Sequence, residues 1–574
     1  MLKKLLTLIH NFLLKLISGL KRFPGALALA CAVTVVLMYI NHAKPREDVW
    51  AHTAMVLALG IPAALCIKMV FERITVKKAA TVLVYALAAG MLLGYYFFLL
   101  PDMGMVSVSR YIAFSLALYL LFTAIPYWGR REGYELYVIK LFTGFIVTYF
   151  YSLILFAGLA AIMFTVNTLF SAGISSKVYF DLWLFVAGIF APAYFLAEVP
   201  AAGARYSGDD YPQFLKVLLL YIVMPLLVVY TGILYVYFLK ILVTRIWPAG
   251  IVSNLVLWYS FISLAVLFFI YILREKNTWV RIFTAFSPKL ILPLLLMMFI
   301  AMGIRIDAYG ITENRFLVLT GGLWSTGCML YLACKKNTRN ILLVLSAAVI
   351  AVLVVSGPWS CYSVSKYSQN ARFESLLMKN NMVSGGNIVP AQEISSADKA
   401  SISSIIQYFN RYHSLKELKI LPSGFKLAQM KETFGFERSF GSKNEYFGHN
   451  LQETWEIQDI MGYDYFLASP VEMPGSTTVN QGALGIAYDN AARVIKISEE
   501  GRLIYQKDIT EAALAIHAAN TGKNALTNRE MTFMDENENL KIMVLFRSMS
   551  GTEDGGDGKP RVEWLDFSLF VKLK

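Results

Sequence analysis

The stretch ILLVLSAAVIAVLVVS, residues 341–356, is an uncharged apolar run with Lys335, Lys336 and Arg339 before it and Gly357, Pro358 and Trp359 after it. Its composition and flanks predict a membrane span. The other long apolar runs all precede it, separated by short charged loops, whereas the sequence beyond it has the mixed composition of a water-soluble domain. The run therefore divides the chain. Residues 24–357 read as an α-helical polytopic membrane bundle, and residues 358–574 as an extracytoplasmic α+β domain.

Composition agrees with this division. A chain of 574 residues that is 57% hydrophobic and 16% charged lies outside the soluble globular range. The net charge of +13 raises the possibility of a nucleic-acid partner, but its distribution excludes one. Up to residue 356 there are 29 Lys and Arg against 13 Asp and Glu; beyond it there are 23 against 26. The basic excess sits at span ends, where it faces anionic headgroups, and no basic surface interleaved with aromatics is left over. The five cysteines, Cys31, Cys66, Cys328, Cys334 and Cys361, form neither a Cys-x-x-Cys pair nor a Cys/His cluster. The C-terminal domain has no disulfide framework and must fold on its own core.

Residues 2–20 set Leu2, Leu6, Ile9, Leu13 and Leu20 on one helical face with Lys3, Lys4, Asn11 and Lys15 opposite, so residues 1–23 are expected to form an interfacial amphipathic helix. Ala28, Leu29 and Ala30 resemble a signal-peptidase site but lie near the start of an apolar run, so no cleavage is expected. Eleven spans follow, at about 24–41, 51–70, 79–100, 108–127, 139–170, 178–198, 215–244, 250–273, 289–307, 316–334 and 340–357. The fifth and seventh are too long for a straight crossing, and Pro225 is the expected kink in the seventh. With the N-terminus in the cytoplasm, 21 basic residues fall in inside segments and 8 in outside ones. That asymmetry predicts a multi-pass protein of the bacterial cytoplasmic membrane with its C-terminal domain outside the cytoplasm.

In that domain the sequence predicts helices over 363–379 and 397–412, the second capped by Ser395, Ser396 or Asp398, with a polar linker between them. Strands are expected at 455–466, 493–498 and 503–508, the last two joined by Glu499, Glu500 and Gly501. A helix capped by Thr510 covers 509–520, and 540–549 pairs with 562–573.

No catalytic, metal or cofactor motif survives inspection, and no cofactor is expected. The run from Asp535 to Asn539 begins like a calcium loop, but Leu540 replaces the turn glycine and Phe546 stands where a bidentate Glu is needed. The acidic segment from Glu553 to Gly558 reads as a turn between strands. Ser363 and Lys366 match the Ser-x-x-Lys pattern of penicillin-binding enzymes, yet neither Ser-Asp-Asn nor Lys-Thr-Gly follows. His413, His449 and His517 have no metal-ligand spacing and are expected at the surface or satisfied. Asp181, Glu198 and Lys240 lie near span ends, within reach of water.

The least membrane-like stretch of the first half is 305–315, which carries Arg305, Asp307, Tyr309, Glu313 and Arg315. Its arginines oppose the positive-inside trend, and Arg372 follows the eleventh span on the same membrane side. These six residues are the candidate ligand or docking rim. Pairing of the arginines with Asp307 and Glu313 is the structural alternative to ligand binding.

The segment from Tyr309 to Arg315, with Ser356 to Ser360 and Ser368 to Arg372, resembles an uncharacterised bacterial family of polytopic membrane proteins, domain of unknown function 4153. Tyr221 to Leu226 and Gly462 to Tyr465 are further segments of the resemblance. It implies a bacterial polytopic protein with an extracytoplasmic tail and brings no activity with it. Architecture then favours a non-enzymatic, transporter-like or sensor component whose partners are the bilayer and an anionic lipid headgroup or envelope ligand. An enzyme of lipid-linked or cell-wall substrates and a structural or assembly factor are the alternatives; the sequence names no protein partner.

Overall fold

The computed structural model of the chain describes residues 17–43, 47–129, 133–201, 210–245, 247, 251–335, 337–391, 393–422, 424–439, 446–452, 460–468, 478–520, 523–552 and 560–574. Most of the expected amphipathic helix, and the whole acidic segment 553–558, lie outside these residues. Among the described residues ten helices are long and apolar enough to cross a membrane: α1 Pro24–His42, α2 Glu47–Phe71, α3 Lys78–Phe98, α4 Met105–Ala124, α5 Tyr134–Phe170, α6 Ser176–Glu198, α7 Gln213–Thr244, α8 Ile251–Ile270, α9 Thr278–Tyr309 and α10 Glu313–Cys334. The chain is an integral membrane protein.

The run that divides the sequence is α11, Ile341–Val355, 15 residues long. At 1.5 Å per residue it measures about 22 Å, short of the ~30 Å hydrocarbon core. Asn340, the residue before it, is buried and donates to Glu135 Oε1 at 2.8 Å. Beyond it, Ser356 is extended and Gly357 takes φ +78°.

The long fifth run is one continuous helix, α5, of 37 residues. The seventh is interrupted by a π-helical segment, Leu218–Val223, just before Pro225, and α6 has a second one, Val186–Phe190, just before Pro192. Buried side chains of α7, α8, α9 and α10 form the main apolar core. Ser253, Ser260 and Ser263 of α8 are fully buried there, small residues that let neighbouring helices approach closely. At one end of the bundle Arg22 donates to Glu72 at 2.9 and 2.8 Å and also bonds the carbonyls of Val199 and Pro200. Of the ionisable residues near span ends, Asp181 accepts from Asn41 at 2.8 Å and contacts His42.

The described residues divide into two compact units, Met1–Ile388 with Ile405–Phe425, and Val389–Ser404 with Lys426–Lys574. The first unit holds all the membrane helices, α12 (Cys361–Lys379) and a hairpin of β1 (Val383–Ser384) and β2 (Asn387–Ile388). The division falls inside helix α13, Ser396–Tyr412, whose first turn is capped by Ser395 Oγ accepting from Asp398 N.

The second unit contains two sheets. One orders β4 (Tyr465–Ala468), β12 (Arg561–Leu573), β11 (Leu540–Thr552), β3 (Tyr446–Leu451) and β9 (Ala525–Leu526), with β10 (Thr532–Glu536) also paired to β11. The other is the meander β5 (Thr478–Gln481), β6 (Leu484–Asp489), β7 (Val494–Glu499) and β8 (Arg502–Asp508). Tyr488 and Ile497 from the meander, Phe546 and Phe567 from the larger sheet, and Ala513 of α14 (Thr510–Ala519) share one core. The expected cap of α14 is corrected: Ile509 holds the N-cap position, Thr510 is already the first helical residue, and Asp508 Oδ1 accepts from its amide at 2.8 Å. The strand expected at 455–466 is confined, among the described residues, to β4, with a turn before it.

Helix α6 meets α1 at a glycine. A Cβ on Gly188, inside the π-helical segment, would stand 2.3 Å from Thr34 Oγ1. Gly188→Ala should therefore cost about 1–3 kcal/mol of stability through overpacking. Thermal unfolding of the purified chain in detergent measures it, and adding Thr34→Ala should recover most of the loss. Equal melting of Gly188→Ala and wild type would show that the helices separate freely here.

Candidate functional site

The rim is built on the turn between α9 and α10. Helix α9 stops at Tyr309 because Gly310 leaves helical geometry with φ +69°, its amide closing onto the Ile306 carbonyl at 2.8 Å. The turn then lies against α12, whose side chains take over the exposed backbone groups. Gln369, 3% exposed, donates through Nε2 to the carbonyls of Tyr309 at 3.1 Å and Ile311 at 2.9 Å. Ser368 Oγ accepts from the Ile311 amide at 2.9 Å. A side chain at position 310 would collide with Gln369, since a Cβ there would stand 2.8 Å from its Nε2.

The arginines gather around Tyr309. Arg315 donates through Nη1 to the carbonyls of Tyr309 at 3.1 Å and Gly310 at 2.6 Å, and its guanidinium stands 5.5 Å from the Tyr309 ring centre. Arg372 reaches the same ring from α12 at 5.9 Å. Arg305 and Arg372 are both close enough to Arg315 for their charges to oppose its own. Two guanidinium groups thus stand over one aromatic ring, a third from Arg305 acts on Arg315, and each arginine is half-buried. Neither Asp307 nor Glu313 forms an ion pair with Arg305 or Arg315 among the described residues. The pairing expected from the sequence is replaced by backbone carbonyls and a ring.

Asp307 is exposed, and Glu313 turns away from the arginines into the protein. It is 7% exposed, and its Oε1 accepts from the Tyr408 hydroxyl at 2.6 Å and from His413 Nε2 at 2.7 Å. Both partners come from the C-terminal end of α13 and the residue after it. As the first residue of α10, Glu313 also sits at the positive end of a helix dipole. Burial, then the hydrogen bond to Glu313 and its charge, push the Tyr408 hydroxyl far above the usual phenol range, so it remains a donor. Burial and the same carboxylate push the nearby Cys361 thiol up to about 11, which keeps it protonated and unreactive.

The remaining motifs resolve into ordinary contacts. Lys366 pairs with Glu417 at 2.8 Å, and Ser363 Oγ meets Ser360 Oγ at 3.1 Å, so the Ser-x-x-Lys pattern assembles no nucleophile and base. His449 and His517 are buried, 2.9 Å apart, with Phe447 stacked on His517 at 3.8 Å. Asp535 accepts from the Tyr505 hydroxyl at 2.7 Å and lies 3.5 Å from Lys507 Nζ. Among the described residues no three His, Cys, Asp or Glu side chains come together as metal ligands. Sequence reasoning missed Tyr408 and His413, which meet Glu313 from about a hundred positions away. Ser368 and Gln369 did carry a signal, as part of the segment on which the resemblance rests.

Residues 27–382 match the family described as Domain of unknown function (DUF4153), and the chain belongs to that family. The match takes in α1 to α12 and the whole rim, and stops before Gly462 to Tyr465. An uncharacterized protein of Pasteurella multocida (strain Pm70), PM1469, is 21% identical over 416 residues, which cover 72% of this chain and 69% of that protein. No solved structure matches.

Removing the Glu313 carboxylate takes the shared acceptor from Tyr408 and His413, which are left with each other at 3.0 Å. Glu313→Ala should cost about 1–3 kcal/mol, and Glu313→Gln, which keeps an acceptor oxygen, should cost less. Thermal unfolding and limited proteolysis in detergent measure the difference. Indistinguishable variants would mean that the cluster contributes nothing to holding the 405–425 segment.

Proposed function

We propose that the protein is a transporter-like or sensor component of the bacterial cytoplasmic membrane that holds an anionic headgroup or envelope ligand at the Arg305, Tyr309, Arg315 and Arg372 rim. In this reading the N-terminus is cytoplasmic and the C-terminal domain faces the envelope. The observation that carries it is the convergence of three arginines without a carboxylate of the turn paired to Arg305 or Arg315. Like charges held together at a half-buried site are destabilising until an anion joins them, and a guanidinium fork suits phosphate and carboxylate oxygens. Among the described residues, Arg305 has neither an ion pair nor a hydrogen bond.

Binding and topology are tested separately. Arg305→Gln is the cleaner variant, because Arg315 also ties the turn through two carbonyls. In native mass spectrometry of the purified chain, Arg305→Gln should lower retention of phosphatidylglycerol about tenfold at unchanged membrane abundance, a loss of ~1.4 kcal/mol. Unchanged retention rules out the binding role, and reduced abundance with reduced protease resistance makes the rim structural. For orientation, a fusion after Ser356 should be active as alkaline phosphatase and dark as a cytoplasm-dependent fluorescent protein. The reverse pattern overturns the topology.

A further inference from the structure

We infer that the cleft bounded by α4, α8, α10 and α11 seats the hydrocarbon chain of the lipid whose anionic headgroup the rim holds. The inference rests on the anion-binding reading and adds the other half of the ligand, making it an anionic glycerophospholipid. The cleft has a volume of about 760 Å³ and an almost wholly apolar lining that includes Leu257, Phe261, Leu317 and Trp324. Its width comes from small residues: Gly321 on α10, and Ala347 and Ala351 on α11. Along α8 it runs from Asn254 to Phe269, about 22 Å at 1.5 Å per residue. One leaflet of the hydrocarbon core is about 15 Å deep, so the cleft accepts a full acyl chain lying along the helices.

Two amides stand at one end of this apolar lining. Asn254 lies in the first turn of α8 and Asn314 in the first turn of α10. These helices run in the same direction, since only α9 separates them, so both asparagines mark the end of the bundle at which α12 begins. Neither makes a hydrogen bond among the described residues. Both asparagines are exposed there, and the ester and phosphate oxygens of a lipid are acceptors that their amides can bond. Asn314 is also the residue before Arg315, so the end of the cleft and the cationic rim share the first turn of α10. Charge at the mouth and hydrocarbon along the walls match the two parts of an anionic amphiphile. The second large cavity, about 710 Å³ and bordered by Thr34 and Gly188, has no amide or charged side chain in its lining and offers no such complementarity.

The full chain, reconstituted in nanodiscs with phosphatidylglycerol bearing a photoactivatable diazirine in its acyl chain, provides the test. Cross-links in the wild-type protein should concentrate on the cleft-lining parts of α8, α10 and α11. Ala351→Phe, which fills the cleft, should lower them about tenfold. Equal labelling of the exposed face of α3 at Val82 and Met91, or no effect of Ala351→Phe in a protein that elutes and melts like wild type, overturns the inference. The wild-type map alone decides the matter where the variant fails to fold. Cleft labelling that is equal for phosphatidylglycerol and a phosphatidylcholine analogue keeps the chain seat and overturns the rim reading instead.

Discussion

A turn between two membrane helices leaves backbone donors and acceptors unsatisfied next to hydrocarbon, and the α9–α10 turn solves this with two adjacent side chains of α12. Gln369 bridges the carbonyls of Tyr309 and Ile311, while its neighbour Ser368 takes the Ile311 amide. Everything at this end of the bundle depends on that arrangement. It fixes α12 against the turn, which brings Arg372 to the Tyr309 ring, while Arg315 donates to the carbonyls of Tyr309 and Gly310. It also fixes the first residue of α10, so that Glu313 points inward to Tyr408 and His413. The charged residues of the turn are thereby sorted into separate environments: Arg315 against an aromatic ring, Glu313 buried and Asp307 exposed.

That sorting explains which parts of the molecule were legible in the sequence. Span positions follow from hydropathy, a local property, and the ten long helices cover the apolar runs that predict them, although α9 begins at Thr278, ahead of the expected 289. The β7–β8 hairpin was equally visible, because Glu500 and Gly501 both need positive φ and take 50° and 81°. Strands β5 and β9 were not, since β5 is polar and exposed along its whole length and β9 is two residues long and held by parallel pairing to β3. The rim residues were found because charge between apolar runs is conspicuous. Their pairing was misjudged because proximity in sequence favours Arg/Glu contacts, whereas the real partner of Glu313 is His413, supplied by a long-range contact that no local pattern encodes.

The two π-helical segments share a cause. A proline in a helix lacks its amide hydrogen, and its ring collides with the carbonyl four residues earlier. For Pro192 that residue is Gly188, and for Pro225 it is Tyr221; both lie inside the π segments, where the wider turn moves the carbonyl away. Interrupted helices in membrane proteins often mark a polar transport path. Here Ala187 and Gly188 border an apolar cavity, and Gly188 lies directly against Thr34, which already satisfies itself on the Ala30 carbonyl. The α6 interruption therefore serves helix packing.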